Sequence, residues 1–173
     1  NTYSNSDLSL TTYYGKATPA FVGSTFTYRA WNGTVYYETN PGGGALAVNP
    51  TTISATTGGA VAFTLDAGMM YAGGDYLVMG SVSGTNPGIP LPGGTVLPIN
   101  YDVFTTLSIA MAGGPFFPNT LGTLDVNGQA TAGFDTISPL PAATVGLVIY
   151  FAYPVPAMPA WFASNYVTVT IVN

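Results

Sequence analysis

Carboxylates are the side chains of this chain that offer the widest choice of chemistry. Two of them at a defined separation can hydrolyse a glycosidic bond, and several together can hold a calcium ion. After residue 45 they are five single aspartates: Asp66, Asp75, Asp102, Asp125 and Asp135. Each stands near the end of an expected strand or in a turn, where capping is the ordinary role of Asp. We therefore expect no enzyme, no metal and no cofactor, with calcium gathered from separate loops as the alternative.

The absence of His and Cys removes most other catalytic designs. Without these residues, no Ser-His or Cys-His pair can activate a nucleophile. Zinc sites depend mainly on the same two residue types, and disulfides are impossible. Binding and structural roles are the classes that remain.

Charge is scarce along the whole chain. The sequence has 2 basic and 7 acidic residues, so 5% of it is charged, against about 25% in an ordinary soluble domain. Both cations, Lys16 and Arg29, precede residue 30, and binding to a phosphate backbone needs several. We therefore exclude nucleic acid as a partner. Because copies with so little charge repel one another weakly, the composition favours assembly of the chain with itself.

Hydrophobic residues are frequent but do not form a membrane-spanning segment. The longest apolar stretch, residues 145–155, contains Pro154 and is shorter than the roughly 20 residues that a span requires. We expect no membrane insertion. The chain begins with Asn1, and its wealth of Thr, Ser, Asn and Gly is typical of exported proteins. These features predict an extracellular or cell-surface location after removal of a signal peptide.

Short alternating runs between turn residues predict an all-β fold. Strong helix formers such as Lys, Glu and Gln are rare, while Thr, Val and Tyr are frequent. The clearest hairpin is at 26–39, where Asn32-Gly33 joins two alternating runs in a type I′ turn. A second Asn-Gly hairpin is predicted at 122–134, with its turn at Asn127-Gly128.

Further strands are expected at several places after residue 45. They are 52–57, 60–66, 76–82, 95–99, 145–153 and 166–172, with 102–110 as another extended segment and 84–94 as a Pro/Gly-rich loop. This number and spacing of short strands match an immunoglobulin-like antiparallel β-sandwich.

Six motifs follow one another in this second part of the chain. They are residues 76–88 (YLVMGSVSGTNPG), 91–94 (LPGG), 97–100 (LPIN), 121–132 (LGTLDVNGQATA), 146–152 (GLVIYFA) and 163–171 (ASNYVTVTI). In this order they resemble a β-sandwich domain that recurs in predicted secreted proteins of planctomycete-type bacteria. The resemblance covers about residues 46–173 and implies export and a sandwich fold. That family has no established activity and no catalytic residues to carry over, and residues 1–45 do not match it.

Residues 1–45 are predicted to be an assembly extension, made of an extended arm and the Asn-Gly hairpin, before a sandwich domain at 46–173. The arm, residues 1–12, is either a disordered tail or a strand that adds to the exposed sheet edge of another copy. Leu8 and Leu10 share one face of such a strand and would fill two pockets.

Aromatic side chains would serve either contacts between copies or stacking on sugar rings. In the first part of the chain they are Tyr13, Tyr14, Trp31, Tyr36 and Tyr37. For those in the hairpin, cross-strand packing is the commoner role. The stiff apolar loop 154–162 ends in Trp161 and Phe162, and is either a contact surface or a cap on the sandwich.

We predict a secreted, pilus-like structural subunit that polymerises with copies of itself into an extracellular filament or surface layer. The donated strand and apolar, Tyr-rich faces would hold the copies together. The alternative is a monomeric carbohydrate-binding or adhesion module with glycan partners, which requires a contiguous aromatic platform on an accessible face.

Overall fold

The computed structural model describes residues 2–4, 9–11, 14–16, 25–27, 45–158 and 160–173 of the chain. Contacts divide the chain into two units, residues 1–39 and 40–173. No helix in the described part of the chain has the length and apolar character that crossing a membrane requires.

The described residues of the first unit form two antiparallel strand pairs. Strand β1 (Thr2–Ser4) pairs with β2 (Ser9–Thr11), and β3 (Tyr14–Lys16) pairs with β4 (Thr25–Thr27). The predicted arm thus contains two short strands that pair with each other. The turn at Asn32-Gly33 lies outside the described residues.

The described part of the second unit is built mainly of strands. In chain order they are β5 (Leu46–Asn49), β6 (Thr52–Ser54), β7 (Ala60–Asp66), β8 (Asp75–Leu77), β9 (Met79–Ser81), β10 (Ile89–Pro90), β11 (Val96–Leu97), β12 (Leu121–Thr123), β13 (Gln129–Asp135), β14 (Val148–Ala152), β15 (Pro154–Val155), β16 (Phe162–Ala163) and β17 (Val167–Val172). Helix α1 spans Val103–Ala110, and two short 3-10 helices span Met69–Tyr71 and Ala142–Thr144.

Two larger sheets form the body of this unit. One has the strand order β13-β7-β5, and the other has the order β6-β17-β14-β9. Neighbouring strands are antiparallel, except that β6 runs parallel to β17. The consecutive strands β5 and β6 belong to different sheets, and each stands at the edge of its own sheet.

Alternation along the strands places their apolar residues between the two sheets. On β7, Val61, Phe63 and Leu65 are buried, and the residues between them are exposed. Phe63 meets Phe151 of β14 with 4.8 Å between ring centroids, which joins the inner faces of the sheets. The all-β class is therefore confirmed, with a sandwich-like core.

Residues 103–110 are helical, so the expectation of an extended segment at 102–110 is wrong. Asp102 Oδ1 accepts the backbone N–H of Thr105 at 2.8 Å, and the Thr105 hydroxyl accepts the N–H of Asp102 at 3.1 Å. This reciprocal cap satisfies two donors that a helix start leaves open. The β-branched residues of the segment conceal this signal, because they favour strands when read by propensity alone.

The second Asn-Gly turn forms, but the strands that flank it do not pair with each other. The N–H of Gly128 donates to Asp125 O at 3.0 Å, and the Asp125 carboxylate accepts the N–H of Asn127 at 2.8 Å. Strand β12 then pairs with β8, and β13 pairs with β7. The hairpin predicted at 122–134 is therefore wrong in its pairing. Burial explains the outcome, because pairing with β7 brings Phe134 of β13 into the core.

The predicted strand at 76–82 is divided in two. β8 ends at Leu77 and β9 begins at Met79, because the N–H of Val78 between them donates to Thr120 O at 2.7 Å. Each half then pairs with a different strand, β8 with β12 and β9 with β14.

Side chains and loops cap much of the outer edge of the first sheet. At β5, the Asn165 amide accepts the N–H of Leu46 at 3.0 Å and donates to the carbonyl of the same residue at 2.9 Å. At β13, the carbonyls of residues 116 and 118 accept the N–H groups of Asp135 and Gly133. Such caps protect an edge strand from pairing with another chain.

The close approach of the 68 and 128 loops yields a stability prediction. Gly128 and Gly73 both have positive φ, 78° and 71°, which costs another residue about 1–2 kcal/mol. A Cβ at Gly128 would also collide with the carbonyl of Gly68, whereas one at Gly73 meets nothing within 4 Å. We expect Gly128→Ala to lower the free energy of unfolding by about 1–3 kcal/mol more than Gly73→Ala, measured by urea denaturation. Equal losses would contradict the close approach.

Candidate functional site

Most residues that the sequence singled out for contacts between copies belong to the first unit. Leu8, Tyr13, Trp31, Tyr36 and Tyr37 lie outside the described residues. Leu10 lies in β2 and Tyr14 in β3, where the structure describes the backbone pairing alone. Their part in assembly stays a prediction.

Phe162 packs against the core rather than into solvent. Its ring contacts Tyr71 and Tyr153, with 4.9 Å and 5.7 Å between centroids. Trp161 is half-buried, and its backbone N–H donates to Pro92 O at 3.1 Å. Of the two roles left open for this loop, the cap has structural support at Phe162.

An apolar groove of about 210 Å³ opens beside helix α1. The helix, the loop that follows it and the end of β13 supply its walls. The lining residues are Phe104, Leu107, Met111, Phe116, Phe117, Phe134, Thr136 and Leu140. A recess of this size and character holds an apolar group and offers no paired acid and base for catalysis.

Phenylalanine rings form the floor of the groove and join it to the core. Phe117 stacks on Phe134 at 5.3 Å, and Phe104 approaches both rings at 6.1 Å. Phe134 also meets Phe151 of β14 at 5.5 Å, and Phe151 contacts Phe63 of β7. Pairs at such distances add about 0.5–1.5 kcal/mol to the effect of burial. The floor is therefore held by both sheets.

The rim of the groove exposes large apolar side chains. Leu107, a lining residue, is 46% exposed, and Val103, one turn earlier on α1 and beyond the lining, is 87% exposed. With Met111 they follow one another at four-residue spacing along α1. Phe116 is also exposed, on the loop after the helix. A helix with apolar residues in contact with water and no charge is unusual for a surface element. Contiguous exposed apolar patches are typical of interaction sites in proteins.

Asp102 fixes the start of α1 to the edge of β9. Its Oδ2 accepts the N–H groups of Val82 and Ser83 at 2.8 Å and 3.0 Å. The same oxygen accepts the hydroxyls of Ser81 and Ser83 at 2.9 Å and 2.8 Å. Because Oδ1 binds the N–H of Thr105, one carboxylate joins the strand edge to the first turn of the helix.

A second contact holds the middle of α1 against β9. The N–H of Gly80 donates to the Ser108 hydroxyl at 3.1 Å, and this hydroxyl donates to Thr105 O at 2.9 Å. A Cβ at Gly80 would meet the rings of Phe104 and Phe151 at 2.5 Å and 2.9 Å. Glycine therefore allows the helix to lie close enough for Phe104 to reach the groove floor.

The pKa of Asp102 lies well below its ordinary value. Burial raises the pKa, but hydrogen bonds from Thr105, Ser83, Val82 and Ser81 outweigh it and lower the pKa. Charged Asp102 therefore stabilises the native state. This stabilisation is complete above the unfolded-state pKa, near 4, and is lost as the pH falls from there toward the lower native pKa.

The other aspartates of the second unit serve local structure. Each accepts a hydrogen bond from a backbone N–H or a polar side chain: Asp66, Asp75, Asp125 and Asp135. Within the ranges that the structure describes, acidic residues do not gather in a group of three that would hold a metal ion. The calcium alternative therefore has no support from these residues.

The chain segment beside the groove contains a strained turn. Ile137 stands between the groove residues Thr136 and Leu140 and has a φ of 62°, which β-branched residues rarely adopt. Ser138 N–H donates to Thr136 O across this turn at 2.6 Å, and Asp135 accepts the N–H of Ile137 at 2.7 Å. A residue held in such a conformation costs about 1–3 kcal/mol, and residues of this kind cluster at functional sites in proteins. The strained residue and the exposed rim therefore lie in the same region of the second unit.

The surface aromatic pair of the described residues does not offer a flat platform for a sugar ring. Tyr166 is exposed and meets Tyr150 at 5.9 Å, but the two rings are inclined by 61°. The closest ring pair, Phe63 and Phe151, lies in the core. The aromatic platform that the carbohydrate-binding alternative requires therefore has no support at this pair.

Sequence reasoning missed the groove. The signal is the four-residue spacing of Val103, Leu107 and Met111, which forms an uninterrupted apolar stripe on a helix, whereas on a strand the polar Thr105 shares their face. The expectation of an extended segment at 102–110 therefore does not identify the stripe. Phe116 and Ile137 carry no local signal, since the fold brings them to the groove from separate loops.

Comparisons of the chain with protein-family models, with curated proteins and with solved structures gave no match. The resemblance to a secreted β-sandwich domain therefore stays a prediction. Function has to be argued from the groove, its rim and the distribution of charge.

The Asp102 anchor yields a prediction for stability and its pH dependence. In Asp102→Asn one oxygen becomes an NH2 group that faces other donors, so we expect a loss of about 1–3 kcal/mol at pH 7. Because the lowered pKa makes the wild-type contribution vanish in acid, the difference between the two proteins should shrink as the pH falls below about 4. Urea denaturation at several pH values between about 7 and 2 measures both effects.

Asp75→Asn provides the matched control for this experiment. Asp75 is exposed and accepts the hydroxyl of Thr123 at 2.9 Å. We expect this variant to change the free energy of unfolding by less than about 0.5 kcal/mol. A loss at Asp102 that is no larger than at Asp75, or that is independent of pH, would show that the anchor contributes little.

Proposed function

We propose that the protein is a structural subunit of an extracellular filament or surface layer, and that it binds copies of itself through the groove beside α1. The observation that carries this proposal is the uncharged apolar rim of the groove. Exposed Val103, Leu107 and Phe116 favour being covered, at about 25 cal/mol per Å² of apolar surface. A neighbouring subunit would cover them.

The distribution of charge favours contact between unlike parts of two copies. Residues 45–173 contain five acidic and no basic residues, whereas residues 1–44 contain two of each: Asp7, Glu38, Lys16 and Arg29. Two second units facing each other would bring together like charges. A second unit facing the first unit of another copy meets no net charge and has both cations within reach. Head-to-tail assembly is therefore the electrostatically favoured arrangement.

The strand order supports an immunoglobulin-like sandwich as the framework of the subunit. With the strands named A to G, such a fold places A, B and E in one sheet and C, F and G in the other. The orders β13-β7-β5 and β17-β14-β9 agree with E-B-A and G-F-C. Helix α1 and the loop after it occupy the stretch between C and E where strand D would stand. The groove therefore lies at the place of a replaced strand.

Strand addition by residues 1–12 is the second contact of the proposed assembly. In the single chain β1 pairs with β2, so the arm would add as a hairpin or after opening. Among residues 45–158 and 160–173, no group bonds to the outward backbone of Val48 in β5 or of Thr52 in β6. Each position is a short acceptor site for the arm at the edge of its own sheet, and the neighbouring outward position at Leu46 is already capped by Asn165.

Substitution of Leu107 tests the role of the groove. We expect the wild-type chain to self-associate and Leu107→Asp to weaken the association at least about 30-fold, because a carboxylate in an apolar contact loses its hydration. Sedimentation velocity over a concentration series measures the association. Leu107 is partly exposed, so the fold should persist, and circular dichroism checks this.

Val126→Asp is the control for Leu107→Asp. Val126 is 80% exposed in the turn between β12 and β13, and its substitution adds the same charge away from the groove. We expect its self-association to match the wild type. Equal weakening in both variants would attribute the effect to charge alone. A wild-type chain that stays monomeric at high concentration would refute self-assembly, and binding to a glycan array would then favour the carbohydrate-binding alternative.

Deletion of residues 1–12 tests strand addition separately from the groove. If the donated arm holds the polymer, negative-stain electron microscopy should show regular fibres for the full chain and only small oligomers for the deletion. Fibres that survive the deletion would place the contact at the groove and leave the arm without an assembly role.

A further inference from the structure

We propose that the groove beside α1 is the receptor for the indole of Trp31 from a second copy, and that Arg29 of that copy lies beside Asp135. This assignment names the partner segment of the proposed self-association and rests on it. Four observations support it: the size of the groove, its ring-lined floor, the placement of the two tryptophans and the position of the charges.

The groove has the size and chemistry of an aromatic side chain. Its volume is about 210 Å³ and its lining is apolar. A cavity of about 150 Å³ accepts benzene, so the larger groove accommodates the two fused rings of an indole. A leucine side chain, such as that of Leu8 or Leu10, would leave part of the space empty. The groove therefore fits an indole more fully than a leucine side chain.

The floor of the groove favours an aromatic occupant over an aliphatic one. Phe104, Phe117 and Phe134 meet one another at 5.3–6.1 Å, and these buried or half-buried rings are held by the core behind them. An incoming ring gains edge-on or offset contacts with them in addition to burial. A rigid recess surrounded by an apolar rim is also the setting in which Trp becomes a dominant contact residue.

The chain has two tryptophans, and they occur in different units. Trp161 is half-buried, and its neighbour Phe162 is packed on Tyr71 and Tyr153. Trp161 is therefore held against the second unit of its own chain. Trp31 belongs to the first unit, the part of the chain that carries both cations.

The charges beside the two partners are complementary. In an extended segment Arg29 and Trp31 lie on the same side, with about 7 Å between their positions. Asp135 lies between the groove residues Phe134 and Thr136, and its N–H donates to the carbonyl of the groove residue Phe116 at 2.9 Å, while its carboxylate accepts the N–H of Ile137 at 2.7 Å. When the indole of Trp31 fills the groove, the guanidinium of Arg29, two residues earlier, is therefore brought toward the carboxylate of Asp135.

A complementation experiment tests the assignment directly. Trp31→Ala lacks the donor and Leu107→Asp lacks the acceptor, so each should associate at least about 30-fold more weakly than the wild type. Mixed in equal amounts, the two retain one intact interface between them, and we expect them to form heterodimers that grow no further. Sedimentation velocity with one variant fluorescently labelled detects this species. Monomers alone in the mixture would overturn the assignment.

Tyr166→Ala is the matched control, because Tyr166 is an exposed aromatic residue that does not line the groove. We expect its association to equal that of the wild type. If Tyr37→Ala, at another aromatic position of the first unit, weakens the association and Trp31→Ala leaves it unchanged, a different aromatic residue fills the groove and the assignment is wrong. If neither matters although Leu107→Asp blocks assembly, the self-assembly stands and this occupant is excluded.

Tryptophan fluorescence gives an independent readout in a Trp161→Phe background, where Trp31 is the one remaining tryptophan. We expect its emission to shift to shorter wavelength as the protein associates, because the indole leaves water. Leu107→Asp in the same background should abolish the shift. If the Trp161→Phe variant associates and its emission wavelength does not change, the assignment is wrong. If neither the Trp161→Phe variant nor the wild type associates, the proposed function itself is refuted.

The ion pair is tested with a double-mutant cycle. Asp135→Asn keeps an oxygen that accepts the N–H of Ile137, so the turn is preserved while the charge is removed. We expect Asp135→Asn and Arg29→Gln each to weaken the association about 2–5-fold, and the double variant to be no weaker than either single variant. Additive losses would show that the two side chains do not meet.

Discussion

The carboxylate of Asp102 is the contact on which the arrangement around the groove depends. It accepts hydrogen bonds from the edge of β9 and from the first turn of α1 at once, with distances between 2.8 and 3.1 Å. The helix has eight residues and no charge, so it has little stability of its own. Because Asp102 and the Ser108–Gly80 contact hold it, Phe104 enters the ring cluster, while Val103 and Leu107 beside it are left facing water. The exposed rim is a consequence of this attachment.

The sheet edges of the second unit and the apolar rim of α1 differ in how far other groups cover them. The Asn165 amide, the loop at 116–118 and the polar groups around β9 satisfy edge backbone groups that would otherwise attract another strand. The apolar rim of α1 has no comparable cover among the residues that the structure describes. Edge capping prevents unspecific pairing. In the proposed assembly, side-chain contacts at the groove would then decide specificity by shape, and the open positions at Val48 and Thr52 would each add a short contact at the edge of one sheet.

Local periodicity predicted those parts of the fold that local burial decides. The strands at 60–66 and 166–172 alternate clearly, and both are present, as β7 and β17. Pairing partners were less predictable, because β12 and β13 leave the same Asn-Gly turn and join different strands according to where Phe134 is buried. The helix was missed because one capping interaction of Asp102 overrides the strand propensity of its β-branched residues. The groove combines residues from two separate segments, 104–117 and 134–140, and such a combination has no signature in a single sequence.

Strain and exposure at one place of the second unit support the proposed assembly over the alternative of a free module. Ile137 holds an unfavourable φ beside a groove whose rim leaves Val103 and Leu107 in water, and both features make the free subunit less stable than its core would allow. A contact that covers the rim recovers part of this cost. If the donor lies in the first unit and the acceptor in the second, each bound copy still presents one free donor and one free acceptor. Contacts of this kind do not close unless the rotation between copies forms a ring, so they extend into a chain. The acidic second unit supports the same outcome, because it disfavours the symmetric pairing of two grooves.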